Sequence, residues 1–300
     1  MHRLFSLFLC LCLGLPAAAQ ERQKLGYGRL ITNDVLGDGQ DRWQTGSIQS
    51  SRVWGPAWTG TAPDRPGPLL ELRLQGQVIA PESLTRPARG DRPYANALSA
   101  GLHTHYQFRG IEVAAGADLV MTGEQTGLTW LQDNLHDALG IAGPSRAVRA
   151  RAIGDGLHAR MVIEAAHSLH LGEAVTLRPF VEGRYGVEDL IRAGADLTIG
   201  RIGTGELLVR DAVTGQRYRT VRQPARGTAF VLGGDVAMVS DSIFLPGAVT
   251  PRDTRSRLRA GFHWDTGRAR GFYGLTWLGP EFTGQRTGQL VGSVRLNIDF

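Results

Sequence analysis

The closing stretch QLVGSVRLNIDF, residues 289–300, alternates without a break to its last residue. Leu290, Gly292, Val294, Leu296, Ile298 and Phe300 fall on one face, and Ser293, Arg295, Asn297 and Asp299 on the other. A period of two is that of a β-strand, whose successive side chains point to opposite sides. The pattern recurs upstream. Leu98, Ala100, Leu102, Tyr106 and Phe108 stand opposite His103, His105, Gln107 and Arg109. Leu258, Ala260, Phe262 and Trp264 stand opposite Arg257, Arg259, His263 and Asp265, and Val181, Tyr185 and Val187 face away from Glu182 and Arg184.

Such strands suit a soluble sandwich or a transmembrane barrel, and three features favour the barrel. The strands run to about 10–14 residues, beyond the roughly 5 or 6 usual in globular sheets. The chain opens MHRLFSLFLCLCLGLPAAAQ, with a basic start, an apolar run over about Leu4–Leu15, Pro16 and then Ala17–Ala19. That reads as a secretory signal over 1–20, leaving 21–300 as a single mature domain. No later segment is long and apolar enough for a membrane helix, so a closed barrel is the remaining way to span. Finally, Trp54, Tyr106, Phe108, Trp264, Tyr273, Trp277 and Phe300 cluster near strand ends, as interfacial girdles do.

The alternation predicts strands at 27–33, 45–54, 69–79, 96–109, 111–121, 156–170, 175–187, 191–202, 227–240, 254–265, 270–278 and 288–300, twelve in all. The expected fold is an all-β, twelve-stranded antiparallel transmembrane barrel. An even count puts both termini on the periplasmic side, so odd-numbered strands run outward and the connections after them are extracellular. Residues 203–226 form a long periplasmic connection, and the sequence leaves open whether it holds a further hairpin. Between about 121 and 156 the period becomes helical: Leu128, Leu131, Leu135 and Leu139 form one stripe, ending at a glycine cap, Gly140. Gln132, Asp133 and His136 lie on another face. One extracellular loop therefore carries a helix.

Composition excludes several classes. Cys10 and Cys12 both fall inside the signal, so the mature chain is expected to lack thiol and disulfide chemistry. Lys24 is the one lysine, every other basic residue being arginine; guanidinium binds phosphate bidentately, although codon usage gives the same skew. No basic helix, zinc spacing or aromatic platform supports nucleic-acid binding.

The parity of the strands gathers four distant segments at the extracellular end. Asn33 and Asp34 end the first strand, Thr45 begins the second, GDRPYAN (90–96) precedes the fourth, and His136 lies in the loop after the fifth. Asn, Asp and Thr offer the hard oxygens calcium prefers, and a neutral His can act as a general base. Each signal alone also has a structural reading: Asn-Asp before glycine is ordinary turn chemistry, a helix His is commonly a surface residue, and Asp91–Arg92 suits an ion pair. His103 and His105 read as lumen-facing interior residues.

The ordered set ITND…DRWQTGS, GDRPYANAL, LQDNLHDALG, GGDVAMVSDSIFLPG and PEFTGQ…VGSVRLNIDF resembles the outer-membrane lipid A 3'-O-deacylases, over nearly all the mature chain. The resemblance implies a twelve-stranded barrel, with a site between the outer wall and a loop helix. It also implies calcium polarising an ester carbonyl, a histidine activating water, and the 3'-linked acyl chain of lipid A (lipopolysaccharide) as substrate. Carried over residue by residue, Asn33 and Asp34 would hold Ca2+, Asn33 and Thr45 would shape the site, and His136 would be the base. The expected partners are lipid A and outer-membrane lipids, with the chain acting as a monomer. The pattern departs from the family at Ala142, where an acidic residue is expected, and a following Trp and Gln are missing. A barrel that has lost turnover is therefore a second reading. A serine-dependent phospholipase using Ser47 or Ser50 is a third. A pore is disfavoured, because Arg184, Arg257, Arg259, His103, Glu182 and Asp265 would fill the lumen.

Overall fold

The computed structural model describes residues 22–298 apart from 141, 225 and 248, and not the side chains of Leu135 and Leu139. The signal segment with Cys10 and Cys12, and the final Asp299 and Phe300, lie outside the described residues.

The strands are β1 (Gln23–Asn33), β2 (Trp43–Gly55), β3 (Leu70–Ala80), β4 (Ala95–Phe108), β5 (Ile111–Thr122), β6 (Gly156–Ala166), β7 (Leu169–His170), β8 (Val175–Tyr185), β9 (Glu188–Gly200), β10 (Leu207–Arg210), β11 (Arg217–Val221), β12 (Gly227–Ser242), β13 (Thr254–Asp265), β14 (Ala269–Leu278) and β15 (Gln289–Ile298). All but β10 and β11 form one antiparallel sheet, β6-β5-β4-β3-β2-β1-β15-β14-β13-β12-β9-β8-β7, which a β6–β8 pairing closes. Short β7 continues the line of β6, so the expected strand 156–170 is one barrel strand broken near His167. The result is a closed twelve-stranded barrel. Among the described residues no helix is long and apolar enough to cross a membrane; the strands do so.

Alternation sorts the side chains inside out. Leu102, Leu119, Met161, Ile163, Val181, Ile191, Met238 and Leu258 are exposed on the outer face, the arrangement lipid requires. Charged partners fill the lumen. Arg73 Nε and Nη2 reach Glu71 at 2.9 and 2.8 Å, and His105 Nε2 contacts Glu71 at 2.7 Å. His103 and Arg160 hold Asp118 at 3.0 and 2.9 Å. Arg257 and Arg259 hold Asp235, and Arg259 also reaches Asp196. Here the arginine bias finds a use, since a forked guanidinium can satisfy a buried carboxylate at two atoms. Arg109 is not in this set: it sits exposed in the β4–β5 turn with φ +51°. Val187 is likewise not on the lipid face. It follows Gly186 in the β8–β9 turn and is buried with Ile79, Ala95 and Phe244.

The connection 203–226 does contain the further hairpin, β10–β11, and it folds back into the lumen from the periplasmic end. Arg210 pairs with Glu164 at 2.6 Å and Asp196 at 2.9 Å, while the Tyr218 hydroxyl meets Ser51 at 2.6 Å and Gln49 at 2.9 Å. Room for it comes from β1, where a β-carbon on Gly26 or Gly28 would stand 2.2 Å from Thr220 O or 2.7 Å from Arg219 O. Below the rim a lumenal cavity of about 530 Å³ remains at the periplasmic end, and one of about 50 Å³ at the opposite end. The barrel is thus plugged.

β1 meets β15 through three register pairs, Ile31–Val294, Thr32–Ser293 and Asn33–Gly292, against ten between β14 and β15. Above this seam the β1–β2 loop clasps β15: Asp38 N–H donates to Leu290 O at 2.9 Å, and Leu290 N–H to Asp38 Oδ2 at 3.3 Å.

Candidate active site at the outer wall

The β2 register slips between Gln44 and Gly46, making Thr45 the extra residue of a β-bulge. A bulge bends its strand and re-aims a side chain. Asp34 N–H donates to Thr45 O at 3.2 Å, which extends the β1–β2 ladder and sets Asp34 beside Thr45. Asn33 pairs with Gly46 in register. Its Oδ1 accepts the Val35 N–H at 2.8 Å, so the turn reading of Asn33 is realised whatever else it does.

The loop helix, α1 (Leu128–Leu139), starts after Gly127 and ends at Gly140, both with φ +69°; a left-handed residue at each end is what glycine supplies without strain. A short second helix, α2 (Arg146–Arg149), is capped by Ser145, whose side chain accepts from Val148 N. α1 lies against the outside of the barrel. A β-carbon on Gly76 would touch Leu98, Ile48 and Leu128, and Ile48 belongs to the outward face. Its orientation is the reverse of a helix on a soluble core: Thr129, Gln132 and His136 are buried, whereas Trp130 and Leu131 are exposed. Lipid explains the inversion, because an apolar outer face is favoured there. The motif before β4 fastens the polar face, with the Tyr94 hydroxyl donating to Gln132 Oε1 and Asn96 Nδ2 to Thr129 Oγ1 at 2.6 Å.

These bonds determine what His136 can do. Since Gln132 Oε1 accepts from Tyr94, its amide N–H₂ faces His136 Nε2, at 3.5 Å. A donor facing Nε2 favours the tautomer with the proton on Nδ1, the Nε2 lone pair accepting the long Gln132 contact. His136 is 6% exposed, and its Nδ1 has no partner. Burial pushes the Tyr94 hydroxyl up to about 12, keeping it a donor.

Asp34 is the most perturbed carboxyl at this rim, 1% exposed and with its pKa pushed up to about 7, first by burial and then by the neighbouring Asp41. Its Oδ2 accepts the Arg42 N–H at 3.1 Å, while Oδ1 is buried without a partner. Thr45 Oγ1, with Thr45 7% exposed, is also buried and unpartnered, as is Asn96 Oδ1. Among the described residues no three of His, Cys, Asp and Glu gather as a metal cluster. What the rim offers is a set of hard oxygens lacking hydrogen-bond partners, the donor type calcium takes in numbers of six to eight. The residues fit such a cation.

The structure therefore brings Asn33, Asp34, Thr45 and His136 to one rim, the last through Asp41, whose Oδ2 is 3.7 Å from His136 Nε2. Asp41 is the residue the sequence did not mark out. Neither carboxylate of the helix near His136 serves it: Asp133 is bound by Arg149 at 2.8 Å, and Asp137 is exposed. Asp91 does not pair with the Arg92 side chain either. It accepts the Glu82 and Arg92 N–H groups at 2.7 and 2.8 Å, and Arg92 pairs with Glu281. Among the described residues neither Ser47 nor Ser50 is bonded to a histidine, which leaves the serine reading without a base.

A plugged barrel with an apolar outside and buried polar residues under a loop helix on that outside defines an outer-membrane protein with a candidate site at the lipid boundary. The sequence matches the family described as "Outer membrane protein LpxR" over residues 7–300, and the chain belongs to that family. Its fold is similar to that of LpxR from Salmonella typhimurium, with a TM-score of 0.74 at 15% identity, covering 92% of this chain and 100% of that one. It is also similar to the β domain of the Bordetella autotransporter BrkA, with a TM-score of 0.43 at 13% identity, covering 92% and 99%. No curated protein sequence matches it. The chain is a protein of the bacterial outer membrane.

Proposed function

We propose that this outer-membrane protein is a calcium-dependent lipid A 3'-O-deacylase. Family membership suggests an enzyme that modifies lipid A. The observation that carries the chemistry is the burial of His136, 3.7 Å from Asp41 of the β1–β2 loop, at the rim where that loop and β2 also bury the unpartnered Asp34 and Thr45 oxygens, under a helix whose exposed Trp130 and Leu131 face the lipid. A site on this wall faces the outer leaflet, so an acyl ester need not enter the plugged lumen to meet it.

Asp34, with Thr45 and Asn33 beside it, would hold the cation. When bound, calcium supplies Lewis-acid polarisation of the ester carbonyl. His136 Nε2 takes a proton from water as the water oxygen bonds to the carbonyl carbon. The carbon–oxygen bond to the sugar then breaks, and the imidazolium returns its proton to the departing 3' oxygen. The products are a free fatty acid and lipid A with a 3' hydroxyl. Gln132, held by Tyr94, keeps the imidazole in the required tautomer.

The test is expression in outer membranes, addition of calcium and mass spectrometry of lipid A. Loss of a single 3' acyl group is expected, and lipid A unchanged with calcium present would overturn the reading.

A further inference from the structure

We propose that Asp41 is the second carboxylate of the cation site, so that the β1–β2 loop alone supplies both negative ligands, Asp34 and Asp41, and α1 contributes only the base. This rests on the calcium-dependent reading above and concerns which residues serve it.

The first observation is backbone strain. Asp41 and Trp43 have φ of +40° and +54°, two non-glycine residues in left-handed conformation on either side of Arg42. A side chain there crowds its own backbone, and such strain persists only where the surroundings impose it. The surroundings do so here: Gln289 Oε1 accepts the Gln44 N–H at 3.0 Å, Gln289 Nε2 donates to Arg42 O, and Asp34 takes the Arg42 N–H. Trp43 is buried, with the Arg42 guanidinium 4.1 Å above its ring. The contorted loop holds Asp41 toward His136.

The second observation is missing countercharge. Arg42 is next in sequence, yet its guanidinium turns to Asp38 and Glu82, both at 3.8 Å, and to neither site carboxylate. Asp34 has no ion pair among the described residues, and the contact of Asp41 is His136, at a distance beyond direct hydrogen-bonding reach. Two carboxyl groups of one loop thus lack a guanidinium among the described residues, at the rim that also holds buried, unpartnered Asp34 Oδ1 and Thr45 Oγ1. A divalent cation supplies the charge and the partners that the protein withholds. Asp41 remains partly open, its side chain 27% exposed, which leaves the cation a way in.

The test uses the full mature chain folded in detergent, with calcium titrated by calorimetry. Asp41→Asn removes the charge with little change in shape, and Asn tolerates the left-handed conformation; Asp41→Gly relieves the strain. Heat-modifiable gel mobility confirms that each barrel is folded. The wild type is expected to bind calcium and both variants to bind it at least tenfold more weakly. Either variant binding within twofold of the wild type would overturn the proposal. Absence of calcium uptake by the wild type itself would remove the parent reading along with it. Wild-type uptake lost in both variants, with lipid A uncleaved throughout, would support Asp41 while removing the esterase.

Discussion

The lumen and the rim cleft both bury carboxylates, and they treat them in opposite ways. In the lumen Glu71, Asp118, Glu164, Asp196 and Asp235 each accept from at least one guanidinium. At the rim Asp34 accepts one backbone N–H and keeps its other oxygen unpartnered. Burying charge is costly unless it is paired. For these carboxylates the lumen meets that requirement within the chain, whereas the described residues offer Asp34 no cation, which is the basis of the proposed calcium site. Among these carboxylates, guanidinium pairing goes with the scaffold, and its absence singles out Asp34 at the candidate site.

The sharpest way to break this comparison is at His136. His136→Ala should lower deacylation by on the order of 10³-fold, the scale of a lost general base, with the barrel still folded by gel mobility. Asp34→Asn comes next. It should weaken calcium binding by about a hundredfold by removing ligand charge, read by calorimetry. It should also raise the melting temperature of the calcium-free protein, because a buried unpaired charge disappears. In the lumen the sign reverses: Glu164→Ala takes one of two carboxylates from Arg178 and Arg210, which keep Glu112 and Asp196, and should cost about 1.5–3 kcal/mol. Denaturant unfolding in detergent checks that figure, with calcium affinity unchanged.

A fourth prediction concerns pH. Asp34 must lose its proton to hold a cation, and its pKa lies at about 7. Apparent calcium affinity should therefore fall by roughly tenfold per unit below that pH and level off above it. For the calcium-free fold the sign is opposite. A folded-state value raised above the ordinary 3.8 favours the native protein at low pH, and that contribution is lost as pH rises through about 7. The smallest effect is expected from Tyr94→Phe, which frees Gln132 to turn and should reduce turnover a few-fold, with calcium affinity unchanged.

Most of the barrel was legible because lipid on one side and charge on the other impose alternation on every spanning strand. Strand parity then placed Asn33, Asp34, Thr45 and His136 at a common end, and family resemblance gave them roles. The hairpin β10–β11 was hidden for a physical reason: both its faces are enclosed, so Leu207–Arg210 and Arg217–Val221 show no lipid-facing alternation. Asp41 was hidden differently. In GDGQDRW an aspartate reads as turn chemistry, and neither its positive φ nor its approach to a helix about ninety residues away leaves a mark on local spacing.

The three-pair seam between β1 and β15 has a consequence for closure. Tyr218 of the hairpin packs with Leu30 of β1 and Phe272 of β14, and Arg295 of β15 donates to Arg219 O, so the plug touches the wall on both sides of that short ladder. Its contacts therefore brace the first and last strands from within, and a chain deprived of it should lose its folded gel mobility at a lower temperature than the wild type, the closure then resting on three register pairs and the loop above them.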